Sequence, residues 1–210
     1  MECAVRELGT LRRRAATALL VAGLVLSGCA KAETSDKGEL SGTELTTPWV
    51  ASDVALTDTS GAAYSLAADA TKPLTLVFFG YSMCPDICQM VMGNITSALT
   101  RIGDDVADVD VVFVTTDPAR DTEKALRRYL DRFDPSFVGL TGDLDDLSDA
   151  ASSFHVAFEV EDKLPSGGYD VTHGTQVFAL SPDGNIDHYW PQDVTPQQLA
   201  QDISLWLEDA

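Results

Sequence analysis

The chain has 210 residues, with 14 Lys+Arg against 33 Asp+Glu and a formal charge of −19. That length allows one ordinary domain, with or without a tail, and 45% apolar residues argue against wholesale disorder. The acidic balance argues against nucleic acid as a partner, which needs a basic footprint, and no apolar run of about 18 residues is present to span a bilayer.

At the N-terminus, Arg12, Arg13 and Arg14 precede an apolar stretch from Ala15 to Leu26. A charged segment followed by a short apolar one is the layout of an export signal. Leu26-Ser27-Gly28-Cys29 comes next and resembles the lipobox of bacterial lipoproteins. The resemblance implies cleavage ahead of Cys29 and a diacylglycerol on its thiol; a short anchor helix with an incidental cysteine is the alternative. The expected organisation is a signal peptide over 1–28, a polar flexible tether over 29–47, and one folded domain over 48–210. Without residues 1–28 the chain carries 10 basic and 31 acidic side chains. Two thiols then remain besides the anchor, Cys84 and Cys88.

Within the domain, Leu74–Phe79 follows Pro73 as an apolar, β-rich run that suits a buried strand. A helical pattern covers about 88–102, and Val109–Val114 is a second buried strand. From about Asp121 another helix carries Ala125, Leu126, Tyr129, Leu130 and Phe133 on one face. A further helix covers about 144–154. Thr175–Leu180, the turn Ser181-Pro182-Asp183-Gly184 and Ile186–Trp190 read as a β-hairpin. The last helix, about 196–207, has Thr195 as N-cap and Pro196 at its first position. This order predicts an α/β fold of thioredoxin-like type, a central mixed sheet flanked by helices with an inserted β-hairpin.

The chemistry concentrates in Gly80-Tyr81-Ser82-Met83-Cys84-Pro85-Asp86-Ile87-Cys88, where a strand hands over to a helix. Free N–H groups and the helix dipole lower a thiol's pKa there. Cysteines at i and i+4 share a helix face with Cβ atoms about 5–6 Å apart. Their sulfurs are then able to share one metal ion, and a disulfide also remains open. Two soft sulfurs favour Cu(I), with Zn(II) as competitor. A third ligand is sought among three histidines. His155 reads as a packed or edge residue and His188 as an exposed strand position. His173 enters the strand expected beside the first helix's N-terminus, so topology prefers it. A structural role for all three histidines, and a structural disulfide for the cysteines, remain the alternatives.

Cys84-Pro85-Asp86-Ile87-Cys88 after an apolar strand resembles the C-P-D-x-C motif of the Sco (SCO/SenC) copper proteins. Thr116-Asp117-Pro118-Ala119-Arg120-Asp121-Thr122, Phe137-Val138-Gly139-Leu140-Thr141-Gly142, and His173 followed by Pro182-Asp183-Gly184 are similar to further family segments, in the family order. The resemblance implies one copper per chain, Cu(I) or Cu(II), held by Cys84, Cys88 and His173. It also implies delivery of that copper to the binuclear centre of cytochrome c oxidase subunit II. An upstream copper donor, a monomeric chain and a lipid anchor on the extracytoplasmic face of the cell membrane complete the expectation. Two positions depart from the family pattern: Thr172 replaces the usual Asp before the histidine, and Gln89 stands where Pro is common after the second cysteine. Asp117, Arg120 and Asp121 are expected to fix their loop rather than touch copper.

The same cysteine pair serves a rival reading as a thiol–disulfide oxidoreductase that keeps client cysteines reduced, with Cys84 attacking and Cys88 resolving. The strand near His173 lacks the preceding Pro typical of thioredoxins, and the wider cysteine spacing favours chelation.

Overall fold

The computed structural model describes residues 40–162 and 168–210. The expected signal peptide, Cys29 and the first part of the expected tether lie outside the described residues. In chain order the elements are β1 (Thr43–Val50), β2 (Leu56–Asp58), β3 (Ala63–Tyr64), α1 (Leu66–Asp69), β4 (Leu74–Gly80), α2 (Ile87–Ile102), a 3-10 turn (Gly103–Asp108), β5 (Val109–Thr115), α3 (Glu123–Leu130), β6 (Val138–Thr141), α4 (Leu144–Ser153), β7 (Phe158–Val160), β8 (Val171–His173), β9 (Val177–Leu180), β10 (Asn185–Trp190) and α5 (Pro196–Asp209). Among the described residues no helix is long and apolar enough to cross a membrane.

Eight strands form one mixed sheet in the order β1-β10-β9-β4-β5-β6-β2-β3, and β7 pairs with β8 in a separate ribbon. β4, β5 and β6 run parallel, and β9 joins β4 antiparallel. Every residue of β4 is buried, which explains its near-continuous apolar sequence. Successive side chains point to opposite faces. Leu74, Leu76 and Phe78 pack in one layer with buried residues of α2, α3 and α5. Val77 and Phe79 pack in the other with residues of α1 and α4.

The predicted helices and the two predicted buried strands are present. The late hairpin is closed by Pro182-Asp183-Gly184, with Gly184 at φ 81° supplying the left-handed residue such a three-residue loop needs. Thr195 caps α5 through the Gln198 N–H, and Gln198 reciprocates.

The tether boundary requires correction. Strand β1 begins at Thr43 and pairs with β10 through Thr43↔Tyr189 and Glu44↔His188. Most of its side chains are exposed, so it carries little apolar periodicity; its order comes from the partner strand. Strand β6 was likewise not anticipated. It has four residues, and Gly139 stands where a Cβ would lie 2.7 Å from Leu130 Cδ1 as α3 packs onto the strand.

Candidate metal centre

Cys84 and Cys88 flank the start of α2 at the C-terminal end of β4. The loop between them is held from two sides. The Cys84 N–H donates to the Tyr81 carbonyl at 3.1 Å, closing a turn over Ser82 and Met83. Asp121, fully buried, then accepts from the Ser82 N–H at 2.9 Å, from the Ser82 hydroxyl and from Thr115 Oγ1 at 2.7 Å. The expectation that Asp121 anchors its loop is thereby given a physical form: its carboxylate fixes the turn that carries Cys84.

Both cysteines are free thiols in the structure. The Cys88 N–H, at the helix N-terminus, points at Cys84 Sγ at 3.4 Å. Hydrogen bonding from the Cys88 side chain, reinforced by that N–H, outweighs burial and pulls the Cys84 thiol down to about 3. Cys88 is held well above the ordinary thiol range, first by its bond to Cys84 and then by burial. The pair is thereby made asymmetric, with Cys84 favoured as the thiolate and Cys88 as the thiol. Gly80 makes room for this pair, since a Cβ there would stand 2.9 Å from Cys88 Sγ.

His173 ends β8 and reaches Cys88 Sγ with its Nε2 at 3.5 Å. Its Nδ1 lies 2.7 Å from the Gly174 carbonyl. A carbonyl only accepts, so Nδ1 carries a proton, and Nε2 is the ring atom turned toward the sulfurs. Tyr81 and Phe78 hold the ring edge-on at centroid distances of 5.8 and 6.1 Å. The backbone of Gly174 thus supplies the acceptor in place of the usual preceding Asp. Thr172 instead bonds Glu161 across the β7–β8 ribbon.

The ribbon itself is clamped to the cysteine side by Arg120. Its guanidinium lies 3.8 Å from the Tyr169 ring centroid and 5.4 Å from that of Tyr81. It also donates to the Tyr169 carbonyl at 2.9 Å and pairs with buried Asp117, which in turn accepts from the Tyr169 hydroxyl at 2.8 Å. Tyr81 and Tyr169 were not singled out from the sequence. Their position beside the cysteine motif and before His173 was the available signal.

The donor atoms of Cys84, Cys88 and His173 all lie within 4.8 Å of one another. Bonds of about 2.0–2.3 Å from one ion place its ligands roughly 3.5–4 Å apart, so small side-chain movements suffice to close the site. Two sulfurs and one imidazole fit copper chemistry. The other histidines fall outside this cluster. His155 occupies the left-handed position that ends α4, at φ 55°, and packs on Trp49. His188 is buried rather than exposed: its Nε2 donates to the Ser41 carbonyl, an acceptor that the approach to β1 brings over it.

A mixed sheet with a two-sulfur, one-imidazole cluster at the head of its long helix defines a thioredoxin-like protein with a soft-metal site. The SCO1/SenC family model matches residues 43–208, and the chain belongs to that family. Protein SenC of Rhodobacter capsulatus is 30% identical over 138 residues, covering 66% of this chain and 62% of that protein. The structure of Bradyrhizobium japonicum ScoI with copper bound superposes at a TM-score of 0.68 with 29% identity, covering 75% of this chain and 99% of that one. BsSco, a member of the Sco family of cytochrome c oxidase assembly proteins, shares the fold at a TM-score of 0.60 and 21% identity, covering 79% and 97% of the two chains. Against Protein sco1 of Schizosaccharomyces pombe, 31% identical over 132 residues and 61% of this chain, the chain spans only about half of the relative's length, 50%.

Proposed function

We propose that the protein is a copper metallochaperone that binds one copper through Cys84, Cys88 and His173 and delivers it to the binuclear centre of cytochrome c oxidase subunit II. The observation that carries this reading is the convergence of the three donor atoms within 4.8 Å, with the histidine's Nδ1 bonded to the Gly174 carbonyl and its Nε2 turned to the cysteines. The copper-bound Bradyrhizobium relative supports the metal, and the family's link to oxidase assembly supports the client. Cys84 receives the ion as a thiolate, Cys88 gives up its proton on binding, and His173 completes the set through Nε2. An upstream protein supplies the copper. The chain works as a monomer, anchored through a lipid on Cys29 at the extracytoplasmic face of the cell membrane.

The test is copper binding by the reduced protein, read by metal analysis and by the absorption of a Cu(II)–thiolate. We expect about one copper per chain, with the Cys84→Ser, Cys88→Ser and His173→Ala proteins losing high-affinity binding. Full affinity in His173→Ala would sink the three-ligand site.

A second reading draws on the thiolate–thiol asymmetry of the pair, which suits a thiol–disulfide oxidoreductase with Cys84 attacking and Cys88 resolving. Rapid reduction of a model disulfide without stoichiometric copper binding would favour it. Mass spectrometry of the membrane fraction, comparing wild type with Cys29→Ala, tests the lipid anchor separately.

A further inference from the structure

The copper ligands are poorly placed to meet a partner. Cys84 is 7% exposed and Cys88 0%, and His173 is half-buried. Cu(I) moves between proteins by ligand exchange, in which a new donor atom bonds before the last old one leaves. An exposed donor beside the site would let the ion be taken up before it reaches the two buried sulfurs.

Met83, the residue before Cys84, is 63% exposed. A single exposed apolar side chain is ordinary by itself, but this one is deliberately held. It occupies the turn closed by the Cys84 N–H on the Tyr81 carbonyl, and the neighbouring Ser82 is pinned through two bonds to buried Asp121. The thioether is thus presented from a fixed turn. Of the chain's four methionines, three fall between residues 83 and 92. Met92 is core and Met90 projects from α2, leaving Met83 on the loop itself.

The groove beside the loop points the same way. It has a volume of about 580 Å³ and is lined by Ser82, Met83, Arg120, Tyr129 and two further arginines, Arg128 and Arg132. Met83 carries the groove's soft donor. With Arg120 already paired to Asp117, the Arg128 and Arg132 guanidinium groups supply the groove's positive charge, which repels a bare cation and attracts an anionic complex; Cu(I) held by thiolates or by anionic chelators is such a complex.

We propose that the Met83 thioether is a surface relay ligand for Cu(I), accepting the ion from an anionic donor complex and passing it inward to the cysteines. The Met83 sulfur–copper bond forms as one donor–copper bond breaks. The Cys84 sulfur then bonds as the last donor ligand leaves, and Met83 releases the ion as Cys88, losing its proton to water, and His173 close around it. Copper stays Cu(I) throughout and no electron moves. A neutral thioether binds more weakly than a thiolate, so the ion runs downhill into the site. The inference rests on the copper-site reading of Cys84, Cys88 and His173.

The test uses the reduced protein mixed with the coloured, anionic Cu(I)–bicinchoninate complex in stopped flow, comparing wild type, Met83→Leu and Met90→Leu. Leucine keeps the size and apolarity of methionine without its donor. We expect Met83→Leu to bind copper with wild-type stoichiometry and affinity but to take it up about tenfold more slowly, with Met90→Leu unchanged. In parallel, Ag(I), a redox-inert probe, is added to the Cys84→Ser/Cys88→Ser protein carrying 13C-methyl methionine; the Met83 methyl signal should shift and the Met90 signal should not. Wild-type uptake rates in Met83→Leu, or a Met83 signal unmoved by silver, would overturn the relay. Failure of the wild type to bind stoichiometric copper would instead overturn the copper site, and the silver titration judges Met83 independently of it.

Discussion

At the residue scale the cluster depends on spaces as much as on donors. Gly80 ends β4 with room for Cys88 Sγ, and a Cβ would also meet Phe78 at 2.9 Å and Phe113 at 3.1 Å. The two rings belong to the packed core, so little can give way. Gly80→Ala should therefore lower stability by about 1–3 kcal/mol, the usual range for overpacking, and weaken copper binding by displacing the sulfur; urea midpoints and a copper titration check both. The Cys84 thiol, pulled down to about 3, makes a second prediction. A lowered pKa means the thiolate is present at all pH values well above it, so reactivity should not fall between about pH 8 and pH 5.5, where an ordinary thiol loses its thiolate. In a protein beginning at residue 40, Cys88→Ser keeps a side-chain donor to Cys84 and leaves Cys84 as the one cysteine. Its alkylation rate by iodoacetamide should change less than about threefold over that range; a hundredfold fall at low pH would show an unperturbed thiol.

At the scale of elements, two short pieces of backbone determine whether the site and its sheet are complete. The β7–β8 ribbon has three residues per strand and pairs only with itself among the described strands, yet it carries His173. Arg120 and Asp117, from the loop after β5, hold it through Tyr169. Strand β1 closes the other edge. Just before it, the Ser41 N–H and hydroxyl donate to Asp202 of α5, and the same carboxylate accepts from Trp190 Nε1 at 2.7 Å. Asp202 is only 2% exposed, so losing two of its donors leaves a buried charge undersatisfied. A protein beginning at residue 48 should accordingly be less stable than one beginning at residue 40 by about 2–3 kcal/mol, or roughly 4–12 °C in Tm. Identical thermal midpoints would mean that β1 and Ser41 add nothing to the fold. These elements were hard to read in advance because short, mostly polar strands have no apolar rhythm of their own.

Across the whole molecule, charge is distributed unevenly. Of the seven Lys and Arg among the described residues, five lie between 120 and 132, leaving the rest of an acidic surface with few counter-charges. The ion pairs Asp117–Arg120 and Arg127–Asp131 fall in or beside that same segment. Repulsion among the remaining carboxylates should yield to screening. Raising NaCl from about 0.1 to about 1 M shortens the Debye length from about 10 to about 3 Å, and the thermal midpoint should rise; a fall would show that attractive pairs dominate. The sequence by itself determined what depends on near neighbours along the chain: the alternation of buried strands and helices, the Pro-Asp-Gly hairpin, the Thr195 cap, and the two cysteines one helical turn apart. Periodicity, turn chemistry and i, i+4 spacing are local, so they survive without knowledge of the fold. Tertiary structure decided which histidine meets the cysteines, because His173 comes from 85 residues beyond Cys88 on a ribbon held by a distant arginine. It also decided that His188 is buried and that residues 43–47 form a strand. Each of those outcomes is set by partners far away in sequence, whose contacts no local pattern encodes.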